Sequence, residues 1–440
     1  MSKIQLTIDW LVTDDKAPVM RDTTGNLSIN VAGINLTQNM DLWSKTVRPS
    51  VLVSAYPLAN WWVNSWWRLH YEPFYTGIKS THDWRMSHEL GAANHGYVWP
   101  ALLFSSDGEA MNIWAESLIQ ENQSVSYLNA LHGPTACRLS DFSQALDMFI
   151  DTVIQRLIAM GHIATDLSEL WSLLKEERAD ETLSKMRRLE ARLGYDAETC
   201  PEELLQNMIN FEKITGRQAM DELAPAVGRE DEDKILEVVH HFNDTKGIKG
   251  TPEITPSNRV FDSRHSAPWV EGVSAAKELR ALIDNAEKRI TENDIYQLLG
   301  ITASDVNNFN VNRSHKISIA KPLKNGALDY VSRKRHPDAK RFEFARFLGS
   351  YYMGGNEEPG WFVSSELATA NQKRQRAFAA EFLCPVESLI GFLAEDFTEN
   401  AIEDASEYFG VSEQTITSIL QNNGFLENRR ALDTPYRLVY

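Results

Sequence analysis

Arg341-Phe342-Glu343-Phe344-Ala345-Arg346-Phe347-Leu348-Gly349-Ser350, and after it Arg374-Gln375-Arg376-Ala377-Phe378-Ala379-Ala380-Glu381-Phe382-Leu383-Cys384-Pro385, decide how the C-terminal part of this chain is read. Both segments have helical spacing. In the first, Phe342, Ala345 and Gly349 fall on one side, while Arg346 and Ser350, four apart, share the adjoining stripe. In the second, Ala377, Phe378, Ala380 and Phe382 supply an apolar face, and Pro385 ends the helix. The small residues let two such helices approach closely.

Together the two segments resemble the ImmA/IrrE family of HExxH zinc metallopeptidases and regulators. The first sits where a helix of the form R-F-x-x-A-H-E-L-G-H belongs, and A-x-F-A-A-E-F-L-x-P carries the likeness of the second. The resemblance covers roughly residues 268–425, about a third of the chain. In that family two His on one helical face and a downstream acidic residue hold zinc, and the Glu activates water. The matching positions here read Arg346, Phe347 and Ser350, with Arg374 near the third ligand. A guanidinium stays protonated and offers no lone pair to a metal. The resemblance therefore implies a zincin-like scaffold with no catalytic residue, no metal and no cofactor. Its degenerate cleft is expected at Arg346, Phe347, Ser350 and Arg374. The two arginines are read as surface or ion-paired groups, with Glu343 and Glu381 near in sequence, or else as an anion site for a phosphate or carboxylate.

Composition frames the rest. A chain of 440 residues with 43% hydrophobic and 10% aromatic residues is globular and long enough for two or three domains. Its net charge of -17 opposes non-specific binding to nucleic acid or anionic membrane over most of the surface. No apolar run approaches the roughly 20 residues that span a bilayer, and no signal-peptide pattern opens the chain. Cys137, Cys200 and Cys384 are odd in number and far apart, which fits reduced thiols in a cytoplasm.

The texture of the chain predicts an α+β protein with a β-rich N-terminal domain, a helical middle region and a mainly α C-terminal domain, which the resemblance implies is zincin-like. Residues 1–138 are rich in Trp, with Val51–Tyr56 and Tyr97–Phe104 reading as strands and Ser106-Asp107-Gly108 as a turn. Residues 139–245 turn helical: Phe142, Leu146, Phe149, Val153 and Leu157 keep a helical period, Gly194 stops a second helix, and Pro201-Glu202-Glu203 opens a third. Asp166 to Asp244 holds twenty acidic and ten basic residues, a solvated face or a dock for a basic partner. Residues 246–267, with Gly247, Gly250, Pro252 and Pro256, read as a linker to the domain at 268–440.

Four further features carry functional expectations. Ala405 to Leu420 has a helix-turn-helix pattern, with Gly410 at the turn and Ser412 capping the second helix. Its outward residues include Thr417 and Gln421, and its neighbours Glu403, Asp404 and Glu407 are acidic, which favours a structural motif over a DNA reader. The one basic run, Arg313 to Arg346, contains Arg333, Lys334, Arg335 and Arg341 as candidate nucleic-acid or anion contacts. Trp61, Trp62, Trp66 and Trp67 concentrate aromatic area that reads either as a two-sided buried element or as a partner interface. His88-Glu89-Leu90-Gly91-Ala92-Ala93-Asn94-His95 imitates a zinc motif but spaces its His two helical turns apart, too far to share one ion.

These observations lead to an expected cytoplasmic, non-catalytic regulatory or assembly protein that acts by binding a protein partner, in stress, mobile-element or anti-phage responses as the resemblance implies. A DNA-binding regulator is the alternative, and a metal-dependent hydrolase with an unrecognised site the second.

Overall fold

The alternation that opens the chain, with Ile4, Leu6, Ile8 and Trp10 on one side, becomes the strand Ile4–Trp10. It pairs antiparallel with Thr24–Val31, which in turn pairs with Ile34–Asn35 and with Val51–Ser54. The computed structural model describes residues 3–14, 17–76, 80–117, 123–228, 232–257, 266–285, 288–309, 316–354 and 360–427. Helix makes up 53% and strand 17%, so the protein is mixed α and β, its strands gathered in several small antiparallel sheets.

Two compact units divide the described residues, 3–201 and 202–427. The division falls at Pro201, not at the expected boundaries of 138 and 245. The reason is the apolar face of the Leu139–Ala159 helix. Phe142, Leu146, Ile150 and Val153 are fully buried in the same core as Leu27, Val53 and Trp62, so the first three helices of the middle region complete the N-terminal unit. The next three, Glu202–Thr215, Arg217–Val227 and Glu232–Asp244, belong to the second. Phe211 meets Trp361 edge-on at 5.4 Å, and Trp361 N donates to Thr215 O at 2.8 Å.

In the first unit the predicted turn at Ser106-Asp107-Gly108 joins the strands Ala101–Ser106 and Ala110–Glu116, with Asp107 Oδ1 accepting from Glu109 N and Ala110 N. The expected strand at Val51–Tyr56 stops at Ser54. Ser54 Oγ then accepts from Tyr56 N and starts the helix Ala55–Tyr71. The strand read at Tyr97–Phe104 begins only at Ala101, after Pro100, which has no N–H for a ladder.

The second unit is built on a four-stranded antiparallel sheet in the order Ile248–Gly250, Leu328–Val331, Ser318–Pro322, Phe362–Ser364. Its outermost strand lies in the stretch read as a linker, whose residues 258–265 fall outside the described residues. The glycines there mark close packing, not flexibility: a Cβ on Gly247 would collide with Tyr330 O, and one on Gly250 with Leu299 O and Ile301. The helices Pro337–Met353 and Ala370–Leu383 form the centre of this unit, with Pro268–Leu282 packed on the second. Phe344, Phe347, Phe378 and Phe382 are among its largest fully buried side chains. Phe378 lies across Gly349, where an added Cβ would stand 2.5 Å from the ring carbon Cδ1. Phe378 is itself stacked on Phe382 at 5.5 Å and cannot retreat.

Gly349→Ala should therefore overpack this crossing and lower stability by about 1–3 kcal/mol. Chemical denaturation reads the loss, and an unchanged midpoint would mean the two helices do not meet at Gly349.

Candidate functional site

Arg346 lies on the Pro337–Met353 helix and its side chain points into the unit, 2% exposed. Its Nη2 donates to Ser365 O at 2.9 Å, to Gln375 Oε1 at 3.3 Å and to Gln372 Oε1. Its Nη1 stands 3.7 Å from Glu343 Oε2, one helical turn away, and Ser364 Oγ donates to the same oxygen at 2.9 Å. Both glutamines belong to the Ala370–Leu383 helix, which starts where Thr369 Oγ1 accepts from Gln372 N. Each amide uses both ends. Gln372 Nε2 donates to Val363 O at 2.9 Å and Glu222 Oε2 at 3.0 Å, and Gln375 Nε2 donates to Val363 O at 3.0 Å. Thr369 Oγ1 donates to the other Glu222 oxygen at 2.7 Å. The result is one buried polar network joining three helices, Pro337–Met353, Ala370–Leu383 and Arg217–Val227, with a strand and the 365–369 loop.

Beside it Arg376 Nη2 donates to Leu367 O at 3.0 Å, and Glu366 accepts from Arg333 Nη2 at 2.5 Å and Lys334 Nζ at 3.1 Å. Burial disfavours charge throughout. It pushes the Arg346 guanidinium down, with Glu343 and Glu366 opposing, and pushes the Glu222 carboxyl up. Burial, then Arg346, push Arg376 down to about 10, which leaves it charged at neutral pH. Burial would raise Glu366, yet Arg346, Lys334 and Arg333 outweigh it and hold the carboxyl at about 2.

The four residues expected to line one cleft do not converge. Ser350 Oγ turns back to Arg346 O at 3.0 Å, satisfying its own helix. Phe347 is core, 5.8 Å from the Tyr330 ring. Arg374 faces another way: its Nε donates at 2.5 Å to Glu271 Oε2 on the Pro268–Leu282 helix, because it and Gln375 are neighbours and lie about 100° apart around the helix. The polar residues that do converge on Arg346, Gln372 and Gln375 foremost, were not singled out from the sequence. Their signal was present as glutamines at positions i and i+3 of an otherwise apolar face.

Among the basic-run candidates, Arg341 is not a surface contact. It is 2% exposed, and its guanidinium donates to Phe409 O, Gly410 O and Ile290 O. It satisfies the carbonyls that end the Glu399–Phe409 helix. Arg333 and Lys334 are held by Glu366, and Arg335 is exposed. Arg313 lies outside the described residues. The helix-turn-helix pattern folds as Glu399–Phe409 and Glu413–Asn422, with Gly410 left-handed at φ 62° and Ser412 Oγ accepting from Thr415 N at 3.2 Å. Ala405 is the fully buried small residue of the first helix, and Thr417 and Gln421 are half-buried.

The tryptophans offer no surface. Trp61, Trp62, Trp66 and Trp67 all lie on the Ala55–Tyr71 helix and are 8%, 0%, 3% and 5% exposed. A helix points them in four directions, and this unit covers all four. Trp62 meets Phe104 and Phe142, Trp66 meets Trp171, Trp61 Nε1 donates to Met86 O, and Trp67 Nε1 donates to Glu177 Oε2. His88 is fully buried, stacked on Trp84 with both ring nitrogens facing acceptors, Phe104 O at 2.9 Å and Glu72 Oε2 at 3.2 Å. Burial pushes its pKa down against the Glu72 contact. His95 is exposed, with Nδ1 against Ala93 O. A cleft of about 330 Å³ near Asn39, Asp41, Arg48 and Tyr97 sits under the exposed Trp43, and no sequence pattern pointed to it.

Compared with known proteins, the chain matches no family model, no curated protein and no solved structure.

Glu366 sets a pH dependence. Its carboxyl is held at about 2 in the folded chain against 4.5 for an ordinary Glu, so its contribution is complete above pH 4.5 and is lost as pH falls toward 2. Glu366→Gln should flatten the acid limb of stability in that window, measured by denaturation at a series of pH values. An unaltered acid limb would separate Glu366 from the cations around it.

Proposed function

We propose that this chain is a non-catalytic binding protein, a regulator or assembly component whose second unit is a degenerate ImmA/IrrE-like scaffold acting through a protein partner. One observation carries the reading. The side chain at the position of the first zinc-ligating His is a buried guanidinium, enclosed by Ser365, Gln372, Gln375 and Glu343 of the same chain. Phe347, where the water-activating Glu would stand, is packed in the core, and Ser350 is spent on its own helix. The guanidinium and the phenyl ring offer a metal no lone pair and water no base, and the neutral Ser350 hydroxyl is neither a usual zinc ligand nor basic enough to activate water.

The close crossing at Gly349 and Phe378 supports the scaffold half of the reading, since two helices held this tightly are what the small residues of both motifs permit. The half about binding rests on the acidic helical surface and on the absence, from these motif positions, of groups that perform hydrolysis. The DNA-reading alternative gains little: the helix before the candidate recognition helix exposes Glu403, Asp404 and Glu407, which repel a phosphate backbone.

Two measurements test this. Metal analysis of the purified chain should find zinc well below one equivalent, and stoichiometric zinc would overturn the reading. Arg346→Ala should cost about 3–5 kcal/mol of stability, because it removes the cation nearest the buried Glu343 and the donor that Gln375 Oε1 faces in the interior. A loss within the ±0.5 kcal/mol typical of surface positions would mean that Arg346 is not enclosed.

A further inference from the structure

The charges of the Arg346 network do not balance. Four basic side chains meet there, Arg346 and Arg376 from the two central helices and Arg333 and Lys334 from the segment after the strand Leu328–Val331. Three acidic ones oppose them among the described residues: Glu343 on the Arg346 helix, Glu222 on the Arg217–Val227 helix and Glu366 on the loop. Of these, Glu222 is the one whose burial favours the neutral acid. The donors are in excess as well. Arg346 Nε, Arg376 Nη1 and Arg333 Nε are buried with no hydrogen-bond partner, against one acceptor of the cluster in the same state, Glu343 Oε1, which lies 3.9 Å from Arg333 Nε. Uncompensated buried cations with idle N–H groups are expensive, and proteins keep them where an anion comes to meet them.

Glu366 stands at the open side of this cluster. Its side chain is 36% exposed, against 13% for Arg333 and 30% for Lys334, and the backbone on either side of it is held, at Ser365 by Gln372 and Arg346 and at Leu367 by Arg376, so that only its side chain need turn. We propose that Arg333 and Lys334, in the field of the Arg346 and Arg376 guanidinium groups, form a binding site for an external small oxyanion, a carboxylate or a phosphate group, and that Glu366 holds the place until that group arrives. When Glu366 swings into solvent, Arg333 Nη2 and Lys334 Nζ are released toward the incoming oxygens. Arg374, committed to Glu271, takes no part. The site would serve to recognise an acidic or phosphorylated group on the partner, and it does not depend on descent from a peptidase.

The test is thermal unfolding of the full chain with sodium phosphate, or separately sodium acetate, replacing sodium chloride at constant ionic strength. Phosphate or acetate should raise the melting temperature saturably in the millimolar range, and whichever does so identifies the source of the oxyanion. If Glu366 leaves the site open about one tenth of the time, Glu366→Gln should bind that anion about tenfold more tightly. The same variant, less stable than wild type in chloride, should be rescued by it. Lys334→Gln, a half-exposed change that the fold tolerates, should weaken the response in the otherwise unaltered chain. Phosphate also stabilises proteins through exclusion from their surface, an effect that grows steadily with concentration and ignores single substitutions. A response of that kind, equal in wild type, Glu366→Gln and Lys334→Gln, would overturn the proposal, as would no response to either anion. Zinc found in the metal analysis would leave this result standing, so the two readings fail separately.

Discussion

A guanidinium taken out of water loses hydration worth many kcal/mol, and only a shell of correctly aimed oxygens returns enough to keep it folded inside. Around Arg346 that shell comes from four places in the sequence: Glu343, Ser365, Gln372 and Gln375. The arrangement works because each glutamine is itself held. Val363 O takes an N–H from both, Glu222 takes a second from Gln372, and Thr369 fixes Glu222 while starting the helix that carries both amides. Loosening any one member frees an amide to rotate and leaves a charge facing an N–H. The register between the two central helices, the loop at 365–369 and the last strand of the sheet are therefore fixed together.

How much of this could be read from the chain depends on the range of the interaction. Local signals were legible. The cap at Ser412, the stop at Gly194 and the turn at Asp107 are each settled by neighbours within a few residues, and the helices and hairpin they bound were recoverable. What depended on distant partners was not. Gly247 and Gly250 look like linker glycines because flexibility and close packing leave the same residue in a sequence. Only the Tyr330 and Leu299 carbonyls against them tell the two apart. The domain boundary failed for a related reason. A change from strand to helix period near residue 138 marks a change of secondary structure, and the Leu139–Ala159 helix closes the core that the strands before it leave open.

The basic residues show the same limit in electrostatic form. Arg333, Lys334, Arg341, Arg346 and Arg374 look alike on a sequence, and counting them predicts a positive surface. In the folded chain Arg341 ends a helix by donating to its last carbonyls, Arg374 pairs with Glu271, and Arg346 is walled in. Arginine does each of these jobs because its planar fork aims several N–H groups at once and stays charged in doing so. The long apolar stem that reaches into a core and the charged head that reaches a phosphate belong to the same side chain. A run of arginines is therefore weak evidence for a nucleic-acid surface until the acids and carbonyls around it are known.

The network also bears on whether the motif positions could be given metal chemistry. Arg346→His, Phe347→Glu and Ser350→His together would write an HExxH pattern onto the helix, but the surroundings are made for other groups. A His at 346 would be too short to reach Ser365 O and the two glutamine oxygens, leaving Glu343 and Glu222 with less positive charge to face. A Glu at 347 would enter the aromatic layer against Tyr330 with no donor to meet it. A third ligand would be missing as well, because Arg374 is turned toward Glu271, and the Ala370–Leu383 helix presents to Arg346 amides that are already engaged. Zinc needs three or four aligned lone pairs at about 2 Å. This interior supplies its oxygens to a cation that is planar, larger and covalently part of the chain, and every partner has been selected by shape for that cation.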